Sequence, residues 1–176
     1  MPWVVEYQVQ NNNLPLLEQL EPLMRARLLL VLKQIGLMLE AGAKLSIQNQ
    51  VAADGTAWVP LQEWYEEWKS RNGFSTDIYI MTASYMNAIT HQVDEKEMAV
   101  NVGVMKDAGM ERTGLPIWRV AEILEYGWDE FNVKIPPRPL WRPLRERNMR
   151  SIQTRVGIAI AKSAKLIEEQ AKGRVL

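Results

Sequence analysis

The residues best equipped for chemistry gather in one stretch, Lys134 to Asn148. It reads KIPPRPLWRPLRERN and holds four prolines, four arginines and a tryptophan. Arginine presents a planar fork of donors that suits phosphate or carboxylate. Proline fixes φ and removes a backbone donor, so IPPRP can neither continue a helix nor sit in a central strand; it must run extended at or near the surface. No proline follows Pro143, and proline suits the first turn of a helix, so the pattern predicts a stiff arm leading into a C-terminal helix. Three uses fit such an arm: a ligand for proline-binding grooves, a nucleic-acid contact, or a strut in an assembly.

The first use fits least, because the arm lies between a strand pattern and a long helix instead of in a loose tail. For the second, Arg138, Arg142, Arg145, Arg147, Arg150 and Arg155 are close enough in sequence to meet phosphates, with Trp141 the one aromatic among them. No element for reading base edges is recognisable, so a non-specific lining of a DNA passage fits better than a sequence reader.

Elsewhere the sequence offers little for catalysis. It has no cysteine and a single histidine, His91, which removes disulfides, thiolate metal sites and cysteine nucleophiles. His91 is read at the end of a helix as a surface or capping group. The nucleophile-elbow, zincin, P-loop and dinucleotide fingerprints are all missing. Glu63 and Glu67 stand four apart on an amphipathic helix, which reads as a solvated face; DEKE at Asp94 to Glu97 reads as a charged turn. No enzyme and no cofactor is expected.

The elements that must hold the arm follow from periodicity. VVEYQV reads as a short strand followed by a turn at NNN. From Pro15 or Pro22 to about Asn49, Met24, Leu28, Val31, Leu32, Ile35, Met38, Leu39 and Leu45 recur at helical steps. Leu61, Trp64, Tyr65 and Trp68 form a stripe on a short helix, read as a core face. TASYMNAI reads as another short helix with Thr82 as its cap. EMAVNVGV alternates strictly, a strand with Met98, Val100, Val102 and Val104 on one face, and KDAGMERTG is a polar loop. A helix opened by Pro116 and closed by Gly127 turns Ile117, Val120, Ala121 and Leu124 inward, and FNVKI gives a last strand. The final helix, 143–172, places Ile152, Val156, Ile160, Ala164, Ile167 and Ala171 at steps of three or four. The expectation is a single α+β domain over 1–176, with a small antiparallel sheet containing the two later strands, several helices, and long helices at both ends.

MPWVVEYQVQ has no basic stretch before a long apolar run, so no secretory signal is expected. Leu23 to Leu39 is interrupted by Arg25, Arg27 and Lys33 and is too charged to span a bilayer. The zero net charge conceals a split: residues 1–133 hold 10 Lys and Arg against 18 Asp and Glu, net −8, and residues 134–176 hold 11 against 3, net +8. An acidic body and a basic tail either neutralise each other within one chain or pair head to tail between chains.

Several landmarks, in order and in spacing, resemble the virion morphogenesis proteins of long-tailed bacteriophages and the related tail-completion, or head–tail joining, proteins. WVPLQEWYEEWK resembles their W-x-P-L stretch, IMTASYMNAI their L-x-x-T-G-x-L-x-x-S-I, AEILEYGW their A-x-x-x-E-F-G helix end, and IPPRPLWRP their I-P-A-R-P-F-L-R-P signature. The resemblance covers about Trp58 to Leu144. Ala83 replaces the glycine of T-G, Pro137 the small residue of P-A-R-P, and Trp141 stands where a smaller apolar residue is common. The resemblance implies a non-enzymatic virion protein of the tail or neck, assembled in the host bacterial cytoplasm. It would form a hexameric or dodecameric ring, contact itself and other neck, tail or connector proteins, and let DNA pass, with no membrane partner. The interface or DNA-passage residues would be Pro136, Pro137, Arg138, Pro139, Trp141, Arg142, Arg145, Arg147 and Arg150. Trp141 and Leu144 would anchor the arm by burial, and Arg138 and Arg142 would pair with carboxylates or face the DNA. The alternative is a nucleic-acid-binding accessory protein that uses the basic C-terminal helix.

Overall fold

The computed structural model describes residues 5–7, 22–112, 114–130 and 133–173. The first long helix, α1, runs Pro22–Gln48. It buries Met24, Leu28, Leu32, Ile35, Leu39, Ala43 and Ile47, the inward face expected from the periodicity. Leu45 departs from that expectation and lies exposed with Leu30 and Leu37, so the helix is apolar on its outer face too. Gly36 and Gly42 let neighbours approach α1. A Cβ on Gly36 would lie 2.5 Å from the His91 ring, and one on Gly42 2.9 Å from Leu144.

Under α1 lies a sheet of β1 (Val5–Tyr7), β2 (Ile89–Asp94) and β3 (Ala99–Val104) in the order β1-β3-β2. Both pairings are antiparallel, with Ile89 opposite Val104, Asp94 opposite Ala99 and Val5 opposite Val102. Ile89, Val100, Val102 and Val104 are buried in the core that includes α1. The β2–β3 connection is the charged turn predicted from DEKE, with Asp94 Oδ1 accepting the N–H groups of Lys96 and Glu97 at 2.9 Å. His91 is mid-strand in β2, not at a helix end, and its Nδ1 is 2.7 Å from Glu40 Oε2 on α1. The predicted turn at NNN and the alternative helix start at Pro15 lie outside the described residues.

The two later strands do not share a sheet. Both edges of β3 are taken by β1 and β2, so β5 (Val133–Ile135) pairs instead with β4 (Trp128–Glu130), an antiparallel neighbour that periodicity did not reveal. Such short-range hairpins need little loop closure. Phe131 lies outside the described residues.

Three short helices complete the body: α2 (Glu63–Arg71), α3 (Ser84–Ala88) and α4 (Ile117–Tyr126). The aromatic stripe of α2 is not core. Trp64 and Trp68 are exposed; Tyr65 stacks nearly parallel on Trp68 at 5.8 Å and meets Trp64 edge-on at 5.5 Å. The buried residue of α2 is Lys69, whose ammonium donates to the Asp77 and Ile80 carbonyls at 2.7 Å each. Thr82 does not cap α3 through its side chain. Ala83 precedes the helix in a left-handed conformation, φ 63°, which costs an L-residue with a Cβ about 1–2 kcal/mol. Glycine would take this conformation without that cost. The last helix, α5 (Trp141–Gly173), packs along α1 and buries Ile152, Val156, Ala159 and Ser163. Ala164, expected inward, is exposed because Ser163 takes the seam and returns its hydroxyl to the Ala159 carbonyl at 2.9 Å. The side chains of Ile167 and Ala171 lie outside the described ones.

Two outcomes follow for stability. Ala83→Gly should raise the thermal midpoint by a few degrees, since relieving about 1 kcal/mol moves a chain of this size about 2–4 °C; an unchanged or lower midpoint in calorimetry would contradict the strain. Burial raises the Glu40 carboxyl, but hydrogen bonds from Lys44 and His91 outweigh it and hold the group below its usual 4.5. A carboxyl depressed on folding stabilises above its unfolded value and loses that contribution as pH falls through its folded one. Urea denaturation should therefore show stability dropping below about pH 4.5, and Glu40→Gln should flatten part of that drop.

Candidate functional site

The arm closes a knot of hydrogen bonds between four segments. Its backbone is nearly without donors, because Pro136, Pro137 and Pro139 have no N–H. The N–H of Arg138 goes to the Leu124 carbonyl at 2.6 Å. The carbonyls face partners from afar in the sequence: Tyr79 donates its hydroxyl to the Arg138 carbonyl, and the Trp58 indole donates to that of Pro139 at 3.0 Å. Gln62 reaches the Lys134 carbonyl at 3.1 Å.

Arg138 itself points inward. It is buried, and its Nε and Nη2 donate to the Val59 and Pro60 carbonyls at 2.7 and 2.9 Å. The expectation that it pairs with a carboxylate or faces DNA is thus corrected: with the arm's N–H groups removed by proline, the side chain supplies the donors that tie the arm to the 58–60 strand-like segment. Burial pulls its pKa below the ordinary arginine value.

Where the arm becomes α5, Glu125 takes over. Its buried carboxylate accepts the N–H groups of Leu140 (2.7 Å), Trp141 (3.0 Å) and Arg142 (3.1 Å). A helix start leaves four N–H groups without intrahelical partners. Here three are met by one anion and the fourth belongs to Pro143, which has none. The helix consequently begins at Trp141, two residues before the start expected at Pro143. The carboxylate is unfavourable for its own helix, sitting in the last turn of α4 at the negative dipole end, and favourable for α5. That misplacement in AEILEYGW was the one sequence signal that could have found it. Gly127 completes the corner at φ 81°; a Cβ there would lie 2.8 Å from the Ile135 carbonyl and 3.1 Å from Pro137.

The predicted site residues therefore divide. Arg138, Trp141 and Leu144 are interior, the latter two as the anchors expected; Pro136 and Pro139 are half-buried. Pro137, Arg142, Arg145, Arg147 and Arg150 are exposed, with Arg147 donating to the Ala53 carbonyl. Trp58, Tyr79, Glu125 and Lys69 were not foreseen as a group. Among the described residues no three His, Asp or Glu side chains are placed to hold a metal ion, and no helix is long and apolar enough to cross a membrane.

Trp58 and Pro60 of W-x-P-L, Glu125 and Gly127 of the helix end, and Arg138 and Pro139 of the proline signature thus meet at one place. A model of the phage virion morphogenesis family matches residues 8–156. The chain belongs to this family. The match extends past both ends of the stretch that carried the resemblance, taking in α1 and the first half of α5. No curated protein and no solved structure matches the chain. Membership makes it a protein of phage structure and assembly, and the landmarks of the family pattern are here the parts that fix the exit of α5.

Removing the Glu125 charge should cost about 1.5–3 kcal/mol, the range for hydrogen bonds to a charged group, so Glu125→Gln should lower the thermal midpoint by several degrees. Gly127→Ala should do at least as much. Melts within a degree of wild type for both would contradict the knot.

Proposed function

We propose that the protein is a structural component of the junction between phage tail and head, a tail-completion or neck protein assembled as a hexameric or dodecameric ring through which DNA passes. Family membership supports the phage role. The observation that carries the ring is a set of exposed charges of both signs that are not paired with one another among the described residues. Arg142, Arg145 and Arg150 are exposed at the start of α5 and make no ion pair with a described carboxylate. On the body, Glu63, Glu66, Glu95, Glu97 and Glu130 are exposed and equally unpaired among the described residues.

α5 lies back on the body, yet the contact with α1 is apolar and leaves the arginines outside. Two different complementary patches on one subunit make a heterologous contact, which yields a ring when its rotation closes. The exposed Leu30, Leu37 and Leu45 of α1 add apolar surface suited to a subunit contact. The same arginines favour the second reading, a nucleic-acid-binding accessory protein, because phosphates and carboxylates both suit them.

Light scattering coupled to gel filtration should find a discrete ring at low salt that weakens as salt screens the charged contact. Arg142→Glu with Arg145→Glu should reduce assembly without lowering the monomer's melting point by more than a degree or two. A monomer at every salt concentration, with DNA affinity falling steeply as salt rises, would favour the second reading.

A further inference from the structure

A groove with a cavity of about 270 Å³ opens between α2, residues 77–81, the 111–115 loop, α4 and the junction of β5 with the arm. Its walls are apolar, among them Leu61, Ile80, Leu115 and Leu124. Trp64 and Leu115 stand at the groove 62% and 43% exposed, large apolar groups of the kind that anchor interfaces.

The charges of the groove are unbalanced. Lys69 and Arg138 line it, each only 3% exposed, and so does the exposed Lys134; the carboxylates of the lining are Glu111, which is buried, and Asp77, which is exposed. Lys69 uses two of its three N–H donors on the Asp77 and Ile80 carbonyls, and Arg138 two of its five on those of Val59 and Pro60. Neither cation forms an ion pair with a carboxylate among the described residues; Glu111 accepts from Thr82 and the Arg112 N–H instead, both at 3.3 Å. Burial depresses the pKa of both cations, for Lys69 against the opposing pull of the Asp77 and Glu66 charges. A carboxylate brought in with an apolar escort would find spare donors and bury the walls at once.

We propose that this groove receives a peptide segment of another protein, in which apolar side chains flank one Asp or Glu that reaches Lys69 and Arg138. The groove has this chemistry whether or not the protein forms a ring.

The test uses the full chain and fluorescein-labelled, end-capped octapeptides in which Leu, Ile or Phe flank a central Glu, each paired with its Gln counterpart. Anisotropy titrations should show saturable binding of at least one Glu peptide, about fivefold or more tighter than its Gln partner, a difference of roughly 1 kcal/mol. Because the cations are buried, the preference should survive 0.5 M salt, where exposed charges are screened. Trp64→Ala and Leu115→Asp should each abolish binding while leaving the melting curve near wild type. Lys69→Met should erase the Glu preference; if it fails to fold, the Glu–Gln comparison on wild type still decides. No saturation up to 1 mM, equal binding of Glu and Gln peptides, or binding unaffected by both rim substitutions would overturn the proposal. So would concentration-dependent dimerisation that Trp64→Ala abolishes, which would assign the groove to a second copy of this chain.

Discussion

The start of α5 is buried, and a helix that starts in the interior must find partners for its first backbone N–H groups or forfeit their hydration. Glu125 provides for three of them and Pro143 removes the need for the fourth. The carboxylate is delivered by the last turn of α4, so the position of α5 is set by a different helix and not by its own sequence. Much else depends on this. Leu144 can meet Gly42 and Ile152 can join the core only if the helix leaves the knot in one direction.

The prolines and arginines of the arm then have separate tasks. Proline makes the segment stiff and strips it of donors, which keeps it from joining a sheet and leaves its carbonyls to Tyr79 and Trp58. Arg138 restores donors at one point inside the fold. Arg142, Arg145 and Arg150 on α5 are turned outward and stay available. An arm fixed in this way presents them without the cost of ordering a loose segment at each contact, about 1 kcal/mol or more per residue. This stiffness is what a repeated contact in the proposed ring would require.

Family membership and the knot explain each other. Side chains that the family pattern spaces across some eighty positions of this chain, from Trp58 to Pro139, converge on the corner between α4 and α5. Ala83 takes the left-handed conformation that glycine would adopt freely.

Periodicity and proline placement were enough to read α1, α4, the β3 alternation, the extended arm and the long last helix, because each follows from spacing along a single element. The charge split was equally legible. Which strands pair was not, since β3's partners depend on competition for its two edges, and β4 has no pattern of its own in three residues. The α2 stripe was read as core because aromatic spacing resembles a buried face, whereas burial is decided by what packs against it; the groove leaves Trp64 and Trp68 outside and takes Lys69 in. Arg138 looked like a surface cation for the same reason, as nothing in IPPRP reveals that the Val59 and Pro60 carbonyls lie across from it. The sequence by itself determined the elements, the stiffness of the arm and the family. The tertiary structure alone decided which charges are interior and which remain for partners, because the direction of a side chain is set by contacts between segments tens of residues apart.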